Sequence, residues 1–195
     1  IGAGETVGVV GPSGSGKTSL LMVIAGLESL TAGRIEAAGQ EISGSDEDTL
    51  ARFRRDNVGI VFQNFHLVPT MTAVENVALP LELAGVPLAF KKAETMLGEV
   101  GLGHRLTHYP AQMSGGEQQR TALARALVAN PPVLFADEPT GNLDADTAES
   151  VHALLAELNR EYQTSLLVVT HDMQLAQRMD RIYRLQAGQL HEQVA

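Results

Sequence analysis

Residues 11–18 read Gly11-Pro12-Ser13-Gly14-Ser15-Gly16-Lys17-Thr18 and lie between an apolar run at 7–10 and an apolar helical pattern. Glycines at this spacing let successive backbone N–H groups turn towards one anion, and the N-terminus of the following helix adds positive potential there. A glycine-rich turn would use the same residues, but the strand–loop–helix context favours a phosphate-binding loop. We predict that Lys17 reaches the β- and γ-phosphates of a nucleotide and that Thr18 lies beside Mg²⁺. The residues assigned to the nucleotide are Gly11, Ser13, Gly14, Ser15, Gly16, Lys17, Thr18 and Ser19.

The composition limits the fold and the partners of the chain. Its 195 residues are 44% hydrophobic, which is enough for one domain with its own core. There are 14 basic and 23 acidic residues and no basic cluster, so nucleic acid is not expected as a partner. Cysteine is absent, which excludes disulfides and thiolate metal sites, and the apolar runs are too short to span a bilayer. These features favour a cytoplasmic protein.

Short apolar runs alternate with longer helical patterns, which is typical of an α/β fold with a mainly parallel sheet. The pattern at 33–42 predicts a short hairpin, and therefore a small antiparallel β patch. No strand-like run occurs from 72 to 109, and a further helical pattern continues to about 129. We therefore predict a single domain, 1–195, with a helical subdomain at about 72–129 inserted into a RecA-like core at about 1–71 and 130–195. The predicted strands are 7–10, 59–62, 133–136, 166–170 and 182–185.

Polar residues follow three of these predicted strands. The carboxyl ends of parallel strands meet at one edge of a sheet, where α/β proteins bind ligands. Consecutive strand residues point to opposite sides, so we expect Asp137 in the Mg²⁺ shell and Glu138 on the water that attacks the γ-phosphate. The amide of Gln63 suits the metal or that water, and His171 suits a γ-phosphate oxygen. Taken singly, Gln63 and His171 also fit a structural role at a strand end.

The motif Ser114-Gly115-Gly116-Glu117-Gln118-Gln119-Arg120 precedes the helical pattern that runs to about 129. Serine followed three residues later by glutamate is a capping box, which is enough to start a helix. The two glycines are poor helix formers, but they leave backbone N–H groups approachable, as an anion site at a helix N-terminus requires. The motif can therefore start a helix and bind an anion at the same time.

The order of these motifs resembles the nucleotide-binding domain of an ATP-binding cassette transporter over essentially the whole chain. It is completed by Asp137-Glu138-Pro139-Thr140-Gly141-Asn142-Leu143-Asp144 and by Thr170-His171-Asp172. The resemblance implies a P-loop NTPase core that hydrolyses ATP with Mg²⁺. It also implies that Ser114, Gly115 and Gly116 bind the γ-phosphate of ATP held by a second copy. Asp144 would then cross the dimer interface, and His171 would be the switch histidine.

Residues 61–77 and 138–144 look most like the lipoprotein-release, macrolide-export and cell-division group, the LolD, MacB and FtsE relatives. Residues 158–190 are similar to the YbbA branch of that group. Such an ATPase drives a separate integral membrane permease from the cytoplasmic face of the inner membrane. Family members carry further strands and an adenine-stacking aromatic residue before the phosphate loop, whereas the ten residues before Gly11 include no aromatic residue. We therefore expect the N-terminal strands to be missing, and this loss to weaken ATP binding.

Two other functions share parts of this pattern. Chromosome-maintenance and DNA-repair ATPases carry the same signature motif, but the interval between Gln63 and Met113 is too short for their coiled-coil arms. An ATP-dependent scaffold or clamp for a membrane partner would bind ATP without hydrolysing it. Glu138 argues against the scaffold, because a clamp does not need a base at that position.

Overall fold

The structure is a computed structural model that describes residues 1–193. The strands are β1 (Thr6–Val10), β2 (Glu36–Ala37), β3 (Gln40–Glu41), β4 (Val58–Val61), β5 (Val133–Asp137), β6 (Ser165–Thr170), β7 (Arg181–Gln186) and β8 (Gln189–Gln193). Six of them form one sheet in the order β4-β5-β6-β1-β7-β8, while β2 and β3 pair separately as a hairpin. Neighbours in the main sheet run parallel, except for the antiparallel pair β7 and β8.

The five predicted strands and the predicted hairpin are confirmed, and each of these five strands lies within one residue of its predicted ends. Strand β8 was not predicted. Its five residues include a single apolar side chain, Leu190, so no alternating hydrophobic pattern marks it. Backbone pairing with β7 and the ion pair between Arg181 Nε and Glu192 Oε1, 2.7 Å apart, hold this edge strand instead.

Helices connect the strands of the main sheet. They are α1 (Lys17–Ile24), α2 (Glu47–Asn57), α3 (Ala73–Leu83), α4 (Ala89–Glu99), α5 (Gly115–Leu127), α6 (Ala145–Tyr162) and α7 (Met173–Ala176). The segment between β4 and β5 contains helices and no strand, as predicted. Helix α5 ends two residues before the predicted limit of 129. Asn130 then has φ of 52°, the left-handed conformation that asparagine tolerates and that commonly ends a helix, and its N–H donates to the Leu127 carbonyl at 2.7 Å.

Hydrophobic residues cover both faces of the main sheet. Phe135 of β5 packs with Leu21 of α1 on one face, and its neighbour Leu134 packs with α5 and α6 on the other. The second cluster continues into α3 and α4 through residues such as Val77 and Leu97. The sheet edge at the carboxyl ends of the strands is therefore held rigidly between two helical layers. Within residues 1–193, no helix has both the length and the apolar character needed to cross a membrane.

Asn76 fixes the chain that follows β4 onto α3. Its side chain is fully buried, and its Oδ1 accepts the Val68 N–H at 2.7 Å. Its amide nitrogen donates to the carbonyls of Val68, Met71 and Thr72 at 3.0–3.1 Å. These contacts satisfy backbone groups of a segment that has no regular structure of its own.

We expect Asn76→Ala to lower the free energy of unfolding by about 3 kcal/mol, because several buried backbone groups lose their partners. Urea denaturation monitored by circular dichroism measures this change. Glu82→Ala, on the exposed side of the same helix, is the control and should change the value by less than about 0.5 kcal/mol. Equal stability of the two variants would mean that Asn76 does not anchor this segment.

Candidate nucleotide-binding site

The ends of β1, β4, β5 and β6 bring the phosphate loop, Gln63, Asp137, Glu138 and His171 to one edge of the sheet. A cleft of about 520 Å³ opens there. It contains most of the predicted phosphate loop together with one polar residue from each of three other loops. The lining residues are Ser13, Gly14, Gly16, Lys17, Thr18, Ser19, Gln63, Glu138 and His171.

The loop between β1 and α1 adopts a conformation that requires its glycines. Gly14 and Gly16 have φ of 77° and 95°, a region that other residues rarely adopt. A Cβ on Gly11 would lie 2.6 Å from the Leu185 carbonyl oxygen, so only glycine fits there. Lys17 curls over the loop, and its Nζ donates to the Gly11 carbonyl at 2.9 Å. The loop therefore presents backbone N–H groups and an ammonium group to the same cleft.

Ser15 lies beneath the loop instead of lining the cleft. Its hydroxyl oxygen is buried and has no hydrogen-bond partner among the protein atoms described. This oxygen is only 2.8 Å from the place that a Cβ on Gly11 would occupy. Gly11 and Ser15, which were predicted to bind the nucleotide, therefore do not line the cleft. They pack against each other and support the conformation of the loop.

Asp137 and Glu138 contact different groups, as the alternation along β5 predicts. Thr18 Oγ1 donates to Asp137 Oδ1 at 3.1 Å, and 9% of Asp137 is exposed. Burial raises the pKa of the Asp137 carboxyl, and the Thr18 hydrogen bond opposes that rise only in part. A cation placed beside Thr18 would favour the ionised form of this carboxyl.

Glu138 is paired with His171. Its Oε2 accepts from the Thr170 hydroxyl at 3.0 Å and from the His171 backbone N–H at 3.2 Å, and it lies 2.9 Å from His171 Nδ1. The Glu138 side chain is 14% exposed, whereas that of His171 is 69% exposed. Glu138 also has φ of 46°, so its backbone is held in a conformation that costs free energy. The carboxylate is thus oriented towards the cleft by the loop that follows β6.

Gln63 is connected to the loop that follows β5. Its Nε2 donates to Asn142 Oδ1 at 3.1 Å, and Asn142 Nδ2 donates back to the Gln63 carbonyl at 3.1 Å. Asn142 also donates to Asn64 Oδ1 at 2.9 Å. Our sequence reasoning did not assign Asn142 to the site. An asparagine in a Gly-Asn turn four residues after Glu138 is the signal that it missed.

The predicted residues Ser114, Gly115, Gly116 and Asp144 do not line the cleft. Ser114 caps α5 by accepting the Glu117 N–H at 3.3 Å, and Glu117 Oε2 accepts the Ser114 N–H at 2.8 Å. Asp144 caps α6 by accepting the Thr147 N–H at 3.0 Å, and hydrogen bonding to the Thr147 side chain, together with this backbone bond, lowers the pKa of Asp144. The predicted capping box is therefore present. Because Gly116 packs against Thr147, the N-termini of α5 and α6 lie side by side.

The comparisons with known proteins decide the family. Residues 1–141 match the family described as ABC transporter. The chain is 53% identical over 192 residues to the ABC transporter ATP-binding protein YbbA of Escherichia coli, covering 97% of this chain and 84% of that protein. The chain belongs to the ABC transporter family. It is also 53% identical over 188 residues to the lipoprotein-releasing system ATP-binding protein LolD of Hahella chejuensis, covering 95% and 81% of the two chains.

Solved structures agree with this assignment to the ABC transporter family. A dimeric structure of the ATP-binding cassette MJ0796, in a post-hydrolysis state with ADP and Pi, aligns with a TM-score of 0.90 and 41% identity. A second dimeric structure of MJ0796, described as a bacterial ABC transporter cassette, gives a TM-score of 0.90 and 42% identity. Each alignment covers 99% of this chain and 86% of that chain. The fold is that of a P-loop NTPase, and the chain is an ABC ATPase.

Arg125 is a second residue of this ABC cassette that sequence reasoning missed. It lies on α5, and its guanidinium donates to the carbonyls of His66 at 2.6 Å and Phe65 at 2.9 Å. Both carbonyl residues have positive φ, 48° and 60°. Helix α5, which begins at the signature segment (Ser114, Gly115 and Gly116), therefore also holds the strained chain that follows Gln63. No local pattern could have indicated a contact between residues 60 positions apart.

Proposed function

We propose that this chain is the ATP-hydrolysing subunit of a bacterial ABC transporter and drives a separate integral membrane permease of the lipoprotein-release or macrolide-export type. The observation that carries this proposal is the cleft that joins the phosphate loop with Gln63, Glu138 and His171. The relatives named YbbA and LolD support the choice of group. In this proposal, the subunit lies on the cytoplasmic face of the inner membrane, and its partners do not include nucleic acid.

The cleft suits a Mg²⁺–ATP substrate. Within residues 1–193, no three His, Cys, Asp or Glu side chains cluster, so a metal here would need phosphate and water oxygens as further ligands. Mg²⁺ prefers that arrangement, and the Thr18 hydroxyl, the Asp137 carboxylate and the Gln63 amide are hard oxygen donors of the kind it uses. These three residues would hold the ion, which offsets phosphate charge when bound. We assign the phosphates themselves to the loop amides and to Lys17.

In this proposal, Glu138 acts as the general base. A water positioned beside its carboxylate attacks the γ-phosphorus, its proton passes to Glu138, and the bond to the ADP oxygen breaks. His171, which lies 2.9 Å from Glu138, holds the carboxylate and remains exposed enough to meet a γ-phosphate oxygen. Gln63 completes the set by orienting the same water or the metal.

A second copy of the chain completes the site in this proposal. Ser114, Gly115, Gly116 and Asp144 lie outside the cleft of their own chain, at two adjacent helix N-termini that suit an anion. Two copies arranged head to tail would bring Ser114, Gly115 and Gly116 onto the γ-phosphate bound by the partner, with Asp144 crossing the dimer interface beside them. The dimeric MJ0796 structures support such an arrangement. We also propose that residues 72–129 form a helical subdomain inserted into a RecA-like core, which comprises residues 1–71 and, within the described part of the chain, residues 130–193; residues 194–195 of the predicted core lie outside the described residues.

Ser114→Asp tests the proposed function at the signature segment. Aspartate caps a helix as well as serine does, so α5 stays intact, but the new charge faces the partner's γ-phosphate. We expect phosphate release from Mg²⁺–ATP to fall at least about 30-fold, because like charges repel strongly near a protein surface. Ser114→Asn, which is neutral and caps equally well, is the control and should stay within about threefold of the unmodified chain.

The outcomes separate the candidate functions. Equal phosphate release from the two Ser114 variants would contradict the composite site and the head-to-tail dimer. Light scattering with and without ATP measures the dimer independently of hydrolysis. An ATP-dependent dimer of the unmodified chain that releases no phosphate would instead support the scaffold or clamp.

A further inference from the structure

His152 is a buried histidine in α6, outside the nucleotide cleft. Only 4% of it is exposed, and its Nε2 lies 2.8 Å from the Thr140 hydroxyl. Its Nδ1 is buried and has no hydrogen-bond partner among the described protein atoms. A buried nitrogen without a partner costs free energy, so an apolar side chain would pack here at lower cost. The contact with Thr140 is therefore the feature of His152 that needs an explanation.

Thr140 lies in the middle of the β5–α6 loop (residues 138–144), and 8% of it is exposed. This loop begins at Glu138, whose positive φ needs support from its surroundings, and ends at Asp144, the cap of α6. Two backbone hydrogen bonds shape it, from Gly141 N–H to the Glu138 carbonyl at 3.0 Å and from Leu143 N–H to the Thr140 carbonyl at 3.1 Å. The contact between Thr140 and His152 ties this turn to the rigid helix behind it.

His152 is also close to the β6–α7 loop (residues 170–172), which carries His171. Its Nε2 lies 3.9 Å from Asp172 Oδ2. Asp172 N–H donates to the Thr170 hydroxyl at 2.9 Å, and that hydroxyl donates to Glu138 at 3.0 Å. Both loops line a second cleft, of about 560 Å³, with His152 in its wall. The His152 imidazole therefore lies close to both of the loops that orient Glu138, the proposed general base.

We propose that His152 is a positioning residue for ATP hydrolysis, whose neutral imidazole holds Thr140 and so keeps the β5–α6 loop in the form that aims Glu138. Protonation of the ring draws its Nε2–H towards Asp172 and weakens the hold on Thr140. The site then loses its aligned base without losing its nucleotide-binding residues. This inference rests on the proposed function, because it concerns the hydrolysis step.

The charges around His152 agree with a neutral ring at pH 7. Burial lowers the pKa of His152 below its usual value of 6.5, and the Asp172 carboxylate opposes that shift. Glu149 Oε2 lies 4.0 Å from Nδ1 on the same helix, but Arg178 pairs with this carboxylate at 2.6 Å. Glu138 and His171 line the same cleft from the two loops. Because the pKa of His152 is lowered, the ring becomes charged only at a pH below the usual range for histidine. The carboxylates of Asp172 and Glu149 lie close enough to interact with the charged ring.

Matched variants of the full chain test this role by phosphate release at saturating Mg²⁺–ATP. His152→Leu removes both ring nitrogens, and Thr140→Val removes the hydroxyl at nearly constant shape. We expect each to lower kcat about fivefold, the effect of one neutral hydrogen bond, with ATP affinity unchanged within about twofold. The double variant should be no slower than either single one, because both remove the same contact. His152→Gln, whose amide can reach Thr140, should keep more than about half of the activity.

The pH profile separates positioning from a merely structural role. The unmodified chain should lose kcat on the acid side as His152 protonates, whereas His152→Gln should lack that limb. Thermal unfolding checks that each variant is folded; if His152→Leu is not, the comparison of His152→Gln with Thr140→Val decides. Additive losses in the double variant, or equal profiles for His152→Gln and the unmodified chain, would overturn the proposal while the proposed function stands. Absence of phosphate release from the unmodified chain would contradict the proposed function itself.

Discussion

Replacing Lys17 with alanine is expected to lower ATP hydrolysis at least about 100-fold and to weaken ATP binding. Lys17 is 8% exposed, and its ammonium group is held at the cleft by the Gly11 and Pro12 carbonyls at 2.9 and 3.1 Å. An ammonium group already fixed there needs little reorganisation to meet the phosphates, and charged hydrogen bonds in a shielded site are strong. Phosphate release and the binding of a fluorescent ATP analogue measure the two effects.

Lys92→Ala is the matched control for this change. Lys92 lies on the exposed surface of α4 and its removal changes the net charge by the same amount. It should leave hydrolysis within about twofold, because screened surface charges contribute little at a distance. A Lys17→Ala chain that hydrolyses ATP like the Lys92→Ala chain would show that the cleft between β1 and α1 is not the phosphate site.

Replacing Glu138 with glutamine is expected to lower kcat about 1,000-fold while ATP remains bound. Glutamine has the same shape and its carbonyl oxygen can still accept from the Thr170 hydroxyl and the His171 N–H, so the loop should keep its conformation. It cannot accept the proton of the attacking water. We therefore expect the variant to accumulate as an ATP-bound dimer, which size-exclusion chromatography with light scattering detects.

Glu149→Gln serves as the control for Glu138→Gln, because it changes the same charge on an exposed residue of the neighbouring cleft. Its hydrolysis rate should differ little from that of the unmodified chain. If Glu138→Gln still turns over at a comparable rate, the general base is another group, and the proposed role of Glu138 is wrong. If the variant neither hydrolyses ATP nor dimerises with it, loop geometry and not proton transfer is the property lost.

Local patterns predicted the fold class well because the central strands β1, β5 and β6 are buried on both faces. Strand β6 lies inside the sheet and reads as a continuous apolar run in the sequence, so no tertiary information was needed to find it. Strand β8 has no such pattern, because an exposed edge strand depends on pairing with its neighbour β7 and not on burial. The capping box at Ser114 could be predicted from the sequence, because its two partners, Ser114 and Glu117, are only three residues apart.

The sequence by itself determined the phosphate loop and the strands that end in site residues, because glycine spacing and hydrophobic periodicity are properties of neighbouring residues. The order of the motifs along the chain carried the resemblance to the family. Tertiary structure alone decided which distant residues support them. Gln63 meets Asn142 across 79 positions, and Arg125 reaches the chain beyond Gln63 across 60. His152 meets Thr140 because α6 packs behind the loop where it begins. Such contacts depend on strand order and helix placement, which no local periodicity encodes.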